Sequence, residues 1–275
     1  MKKITLGKVI IYTLLVFWAL TTIYPFFWVI NNSFKTSNEI LSNAFSLPAN
    51  FTVENYTNAF SNLDIVRSYM NSVIISGSVT AVVVLLATMS AFAMTRYSFK
   101  GKTIVNMLFL GSLMIPAFST IIPVFSMIAK LDLVNQHIAV IVPQVAGNLS
   151  FAIIVLMGYM KTLPLELEEN AFLEGCSVMK IYSKIIVPLS IPTIASVAIF
   201  TFLWSYNDLF LQMIILRKQE VMPISALLRM ISSQFGTDFG LMASSVTLVV
   251  VPVLIVYVVL QKYIIEGMTS GALKG

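Results

Sequence analysis

PLELEENAFLEGCSVMKIYSKIIVPLSIP, residues Pro164–Pro192, is the longest charge-bearing segment after the first third of a very apolar chain. Glu166, Glu168, Glu169 and Glu174 crowd it, with Lys161, Lys180 and Lys184 around them. Pro164 fits the first turn of a helix, where a missing N–H does no harm. Glu166, Glu168 and Glu169 then lie near the positive end of the helix dipole. Gly175 is suited to stop that helix, because it takes positive φ without steric cost. Ser177 is an N-cap residue for a second helix. In that helix Val178, Ile181, Tyr182 and Ile185 recur at i, i+3, i+4 and i+7, one apolar face. Pro188 and Pro192 close the segment before apolar sequence resumes. The pattern predicts an amphipathic helical hairpin over 164–188, flanked by membrane, with a charged face free for a partner.

The flanking sequence supports that setting. Of 275 residues, 58% are hydrophobic and 11% charged, and the mean hydropathy is +0.90. Soluble domains carry about 25% charged residues. A spanning helix needs roughly 20 apolar residues, so the chain has room for about six. The long unbroken apolar runs exclude an outer-membrane barrel, which alternates over strands of about 10 residues. The class expected is all-α and polytopic. The net charge of +5 does not indicate nucleic-acid binding, because basic residues flank membrane spans in any case. Cys176 is the single cysteine, which excludes an internal disulfide and a cysteine-built metal site. His137 is the single histidine and lacks partners for a metal site.

Six spans are predicted at about 9–30, 71–94, 104–128, 138–160, 191–216 and 239–263, after a basic N-terminus at 1–8 and before a tail at 264–275. The first run is too long for a signal-peptide core and is read as a retained span, bent at Pro25. Asn31 to Met70 reads as an external loop with short helices. The second span holds Ser76, Gly77, Ser78, Ala81, Ala87, Ser90 and Ala91, small residues that let membrane helices approach closely. Gly101-Lys102-Thr103 looks like the end of a phosphate-binding loop, but Arg96 stands where that loop needs its first glycine. Pro116 and Pro123 break the third span, which is either a pore-lining helix or a kinked packing helix. Eleven of the seventeen basic residues fall on the side of the termini and the hairpin, which places both termini in the cytoplasm.

Asp208, within Trp204-Ser205-Tyr206-Asn207-Asp208, is the clearest charge inside a span. A carboxylate there faces the bundle interior or water. It is a lining group of a translocation path, a hydrogen-bond partner for a neighbouring helix, or a residue near the outer edge of the membrane. Trp204 and Tyr206 are aromatic residues that suit stacking on a ligand ring and equally suit a membrane interface.

The hairpin resembles the "EAA" coupling loop of permease subunits in bacterial ABC importers. That pattern is E-A-A, three residues, G, nine residues, then I-x-L-P. Glu169, Ala171, Gly175, Ile185 and Pro188 match it; Asn170, Val187 and Cys176 depart. The tail Gly267–Gly275 is similar to the G-x-T-x-G-A-[VL]-K-G ending of carbohydrate permeases. Trp204, Asn207 and Asp208 fit a W-x-x-N-[DE] cluster of the same subfamily, as do Ser33-Phe34-Lys35, Asn55-Tyr56 and Asn71-Ser72. The resemblance thus covers essentially the whole chain. It points to the smaller permease subunit of a carbohydrate importer of the maltose or multiple-sugar type, with the MetI-like permease fold.

That resemblance implies a second permease subunit, a cytoplasmic ATPase dimer that binds ATP and Mg, an external solute-binding protein and a sugar substrate. This chain would hold no cofactor and catalyse no covalent chemistry. Glu169 would contact a basic residue of the ATPase. Ala171, Gly175, Cys176, Ile185 and Pro188 would shape the coupling helices. Gly271 and Lys274 would reach the ATPase interface as part of a flexible, extended tail. Ser232, Ser233, Gln234, Phe235 and Gly236 would enter the binding protein's cleft. Trp204, Tyr206, Asn207 and Asp208 are candidates for lining the path, with no sugar pocket implied on this subunit. Two rivals remain, an ion-coupled secondary transporter and a non-transporting assembly subunit; the first is disfavoured by the absence of an internal repeat and of several intramembrane charges.

Overall fold

A computed structural model describes residues 6–62, 64–227 and 238–272, beyond Val258 chiefly as backbone. Every regular element among them is a helix. The chain forms two compact units, one from residues 1–65 and 227–255, the other from 66–226 and 256–275.

The first unit contains α1 (Leu6–Ser33), α2 (Ser37–Ser42), α3 (Glu54–Asn62) and the first part of α12 (Phe239–Ala272). From Leu6 to Phe27, α1 exposes apolar side chains all round, as a lipid-facing helix does. It runs through Pro25 and ends in three buried polar residues, Asn31, Asn32 and Ser33. The segment read as an external loop is tightly knotted there. The Asn55 amide donates to the carbonyls of Ser33 and Lys35, both at 2.8 Å. Ser33 Oγ and Tyr56 Oη lie 2.6 Å apart, and Ser244 Oγ donates to the Asn55 carbonyl at 3.1 Å. Lys35 is fully buried; its ammonium donates to the Asn43 carbonyl at 3.1 Å.

The second unit is built around α7 (Ile138–Met160), which packs against α5 (Lys102–Ser112), α6 (Ala117–Lys130), α10 (Ile191–Asn207) and α11 (Leu209–Ile215). Beside it runs α4 (Ile65–Arg96), six residues longer at its start and two at its end than the expected span over 71–94. Val79, Val83, Ala87 and Ala91 recur every four residues along α4 and are fully buried. They share one apolar cluster with Ala152, Ile153, Leu156 and Met160 of α7. Small residues at Ala87 and Ala91 let the backbones approach, as the sequence implies.

Among the described residues four helices are long and apolar enough to cross a membrane, and counting two bent pairs as one crossing each makes six. The third span is broken, as its two prolines predict, and the other bend lies at Ser190, where the hairpin meets the fifth span. The third turns by 100° between α5 and α6. Pro116 makes this break by forcing its predecessor out of helical geometry, whereas Pro123 sits inside α6 without ending it. The fifth span is also interrupted at Asp208, where α10 gives way to α11. The final helix continues to Ala272, so the tail as far as that residue is helical and not an extended finger. Glycines cost a helix only about 1 kcal/mol each against alanine, which does not stop one already nucleated upstream.

Candidate functional site

The hairpin forms from α8 (Glu166–Leu173) and α9 (Val178–Leu189). Leu165 occupies the N-cap position of α8, and Glu166, Glu168 and Glu169 sit in its first turn, where the helix dipole favours them. At the other end Gly175 has φ +79°. Its N–H bonds the Phe172 carbonyl and the Cys176 N–H bonds that of Ala171, both at 3.0 Å. These two bonds define a Schellman stop. Cys176 takes the position that packs back on the helix, partly buried against the cluster that includes Ala171.

The second arm differs from expectation in two ways. Ser177 has the extended backbone of an N-cap, but its side chain makes no capping bond. Over Tyr182–Ile186 the helix widens to a π turn, with the Val187 N–H reaching the Tyr182 carbonyl five residues back. Pro188 lacks an N–H and its ring crowds the carbonyl four residues earlier; a wider turn relieves that crowding. The register therefore slips. Ile181 and Ile186 are the buried residues, at 5% and 0% exposure. Tyr182 and Ile185 pack partly against the core, while Val178 is exposed. Pro188 itself is exposed. A 76° bend at Ser190 then leads into α10.

The four hairpin carboxylates are not equivalent. Glu168 turns inward and forms an ion pair with Arg96, at the end of α4. Glu166, Glu169 and Glu174 are exposed. Between α4 and the two arms lies a groove of about 590 Å³, lined among others by Phe92, Arg96, Glu169, Phe172 and Leu173. Phe172 and Leu173 are 65% and 84% exposed. In the sequence Arg96 stands out only as a basic residue after the second span and as the residue that spoils a phosphate-binding loop. Its partner lies 72 positions away, beyond any local spacing rule.

A second polar constellation surrounds Asp208. Its Oδ1 caps α11 by accepting the Leu211 N–H at 3.2 Å, and its Oδ2 accepts the Gln144 amide at 2.8 Å. Ser205 Oγ donates to Gln144 Oε1 at 2.6 Å. The Gln212 amide donates to the Ser205 carbonyl at 2.6 Å, and Ser225 Oγ donates to Gln212 Oε1 at 2.7 Å. This chain of bonds ties α7 to both halves of the broken helix. Of the four residues expected to line a path, Tyr206 is buried, stacked on Phe202. Trp204 is half-exposed and packs on Phe151 with ring centroids 4.9 Å apart. Asn207 is exposed, and Asp208 faces its hydrogen-bond partners. Gly271 lies in α12. Ser232, Ser233, Gln234, Phe235, Gly236 and Lys274 lie outside the described residues.

Residues 83–270, which include the hairpin, match the family described as binding-protein-dependent transport system inner membrane component. The chain belongs to this family. It is a multi-pass permease component of such a transport system. The permease is similar to the diacetylchitobiose uptake system permease protein NgcG of Streptomyces coelicolor, at 32% identity over 96% of this chain and 88% of that protein. It is 33% identical to the galactooligosaccharides transport system permease protein GanQ of Bacillus subtilis, over 96% of this chain and 94% of that protein. A crystal structure of a bacterial ABC transporter involved in import of the acidic polysaccharide alginate shares the fold. Its matching chain has a TM-score of 0.82 at 20% identity, covering 96% of the permease and 99% of that chain.

The Asp208 geometry makes a prediction for the permease. Asp208→Ala removes a helix cap and leaves the buried Gln144 amide without its acceptor, a loss of about 2 kcal/mol. Asp208→Asn keeps one of the two acceptor bonds and loses roughly half as much. Thermal unfolding in detergent should rank the variants in that order, with the KM for substrate uptake shifted less than about twofold. A large KM shift without loss of stability would instead make Asp208 a substrate ligand.

Proposed function

We propose that this permease is one of two membrane subunits of an ATP-driven importer of oligosaccharides. The observation that carries the reading is the hairpin surface. Glu169 lines a groove beside exposed Phe172 and Leu173, and an apolar patch next to a carboxylate marks a protein-binding site. An ATPase dimer fits that face, with ATP and Mg bound by the ATPase and not by this chain. The substrate class rests on the relatives, which are a diacetylchitobiose and a galactooligosaccharide permease similar over nearly their whole length.

In this reading the hairpin and both termini are cytoplasmic. Gly271 and Lys274 extend towards the ATPase interface. Ser232, Ser233, Gln234, Phe235 and Gly236 meet the binding protein on the other side. Trp204 and Asn207, which the fold leaves exposed, face the path, while Tyr206 and Asp208 support it from behind. Closure of the ATPases moves the docked hairpin, and the spans rock to expose the path outward. The chain makes and breaks no covalent bond.

Reconstituted vesicles test the reading directly. With the second permease, ATP and the ATPase on the hairpin side and the binding protein opposite, saccharide accumulates, and ionophores leave the rate unchanged. Uptake that proceeds without ATP and stops with an ionophore would make the chain a secondary transporter.

A further inference from the structure

We infer that the C-terminal end of α4 is the rod through which the hairpin moves the spans, and that Arg96 is its positioning residue. This rests on the coupling reading above and adds to it the element that receives the motion.

Three residues spaced four apart on α4 hold both arms of the hairpin. Arg96 donates through Nε to the Glu168 carboxylate of the first arm. Its Nη2 donates at 3.3 Å to the carbonyl of Leu163, in the link that leads into that arm. The two charged side chains are only 7% and 14% exposed. Such a pair is costly to break, because loss of either partner leaves the other charge stranded away from water. Thr88 Oγ1 lies 2.8 Å from Tyr182 Oη in the second arm. Phe92, buried on the same stripe, meets the Tyr182 ring at 5.5 Å between centroids. The grip on the second arm falls where its helix opens into the π turn.

The covalent routes out of the hairpin are less suited to carry movement. Its second arm meets α10 across a 76° bend, and its first arm follows α7 through the non-helical turn that contains Leu163. Bent junctions absorb rotation as hinges do. By contrast α4 is continuous over 32 residues, and its Val79–Ala91 stripe is packed into the α7 cluster. A displacement of the hairpin reaches the spans through Arg96, Phe92 and Thr88, which hold both arms, whereas the bond from Tyr159 Oη of α7 to the Leu189 carbonyl, at 2.8 Å, holds only the second. The hairpin acids divide accordingly: Glu168 faces the membrane domain, and Glu166, Glu169 and Glu174 face outward.

The test is a charge exchange in the reconstituted importer with its second permease, ATPase and binding protein. Arg96→Glu and Glu168→Arg should each lower saccharide moved per ATP hydrolysed at least tenfold, with the ATPase still copurifying. The double variant Arg96→Glu/Glu168→Arg should recover to within about threefold of the parent. A purely structural pair would lower uptake and ATP hydrolysis in proportion, leaving their ratio unchanged, and that result overturns the proposal. Should a single variant fail to accumulate, Glu168→Gln, which removes the charge and keeps the shape, replaces it: a lowered ratio of saccharide moved to ATP hydrolysed supports the rod, and an unchanged ratio overturns it. Glu169→Lys in parallel separates this from the coupling reading itself. If that variant transports normally, the hairpin does not dock an ATPase; if it fails while the charge exchange has no effect, only the rod is wrong.

Discussion

Glu169→Lys is expected to reduce saccharide uptake on the order of a hundredfold, the scale of inverting one member of a desolvated charge pair across an interface. The carboxylate is exposed on the first turn of α8, so the fold does not need it. Its surroundings point to an interface: Phe172 and Leu173 stand exposed beside the groove it lines. The variant should insert in the membrane and unfold at the parent's temperature, yet lose copurification with the ATPase. Glu166→Lys, three residues earlier on the same exposed turn and outside the groove lining, should change uptake less than about threefold, as rim charges do. Equal effects at both positions would mean that bulk charge, and not a specific contact, drives docking. Normal uptake by Glu169→Lys would remove the basis for the proposed function.

The second large effect concerns stability. Gly240→Ala should destabilise the first unit by about 3 kcal/mol, combining overpacking with loss of a buried amide's bonds. A Cβ at this position would lie 2.7 Å and 2.8 Å from the side-chain oxygen and nitrogen of Asn55 and 2.9 Å from the Lys35 carbonyl. The Asn55 amide cannot retreat without releasing the Ser33 and Lys35 carbonyls it holds, and the backbone oxygen cannot rotate away. Gly77 is the control, because a Cβ there meets nothing within 4 Å. Gly77→Ala should leave the unfolding midpoint unchanged or raise it, as replacement of a helical glycine does. Thermal unfolding of the purified permease in detergent measures both. A Gly240→Ala midpoint equal to that of the parent would show that the Lys35–Asn55 knot yields more readily than its bonding implies.

These two positions show how differently parts of the chain could be read. The placement of Glu169 and Gly175 in a helical hairpin was legible because it is set locally. A proline, a run of acids at a helix start and a glycine able to take positive φ act over a few residues, and the Schellman stop forms where that punctuation puts it. The apolar runs are legible for the same reason, since their length alone sets whether they can span a membrane. Gly240 carried no such signal. It stands at the start of an apolar run, and its constraint comes from Asn55, 185 positions before it in the sequence.

The amino-acid order alone therefore settled an all-helical membrane chain, a helix–glycine–helix hairpin between its spans, and the small-residue face by which α4 packs. Folding in three dimensions chose which of four glutamates turns to Arg96, set the break of the third span at Pro116 and not at Pro123, opened the π turn before Pro188 and turned Asp208 into a cap. The division has one cause. Helical period, proline and glycine act within a turn or two of the chain, whereas a buried polar group takes its partner from whichever distant face the packing of neighbouring helices brings to it.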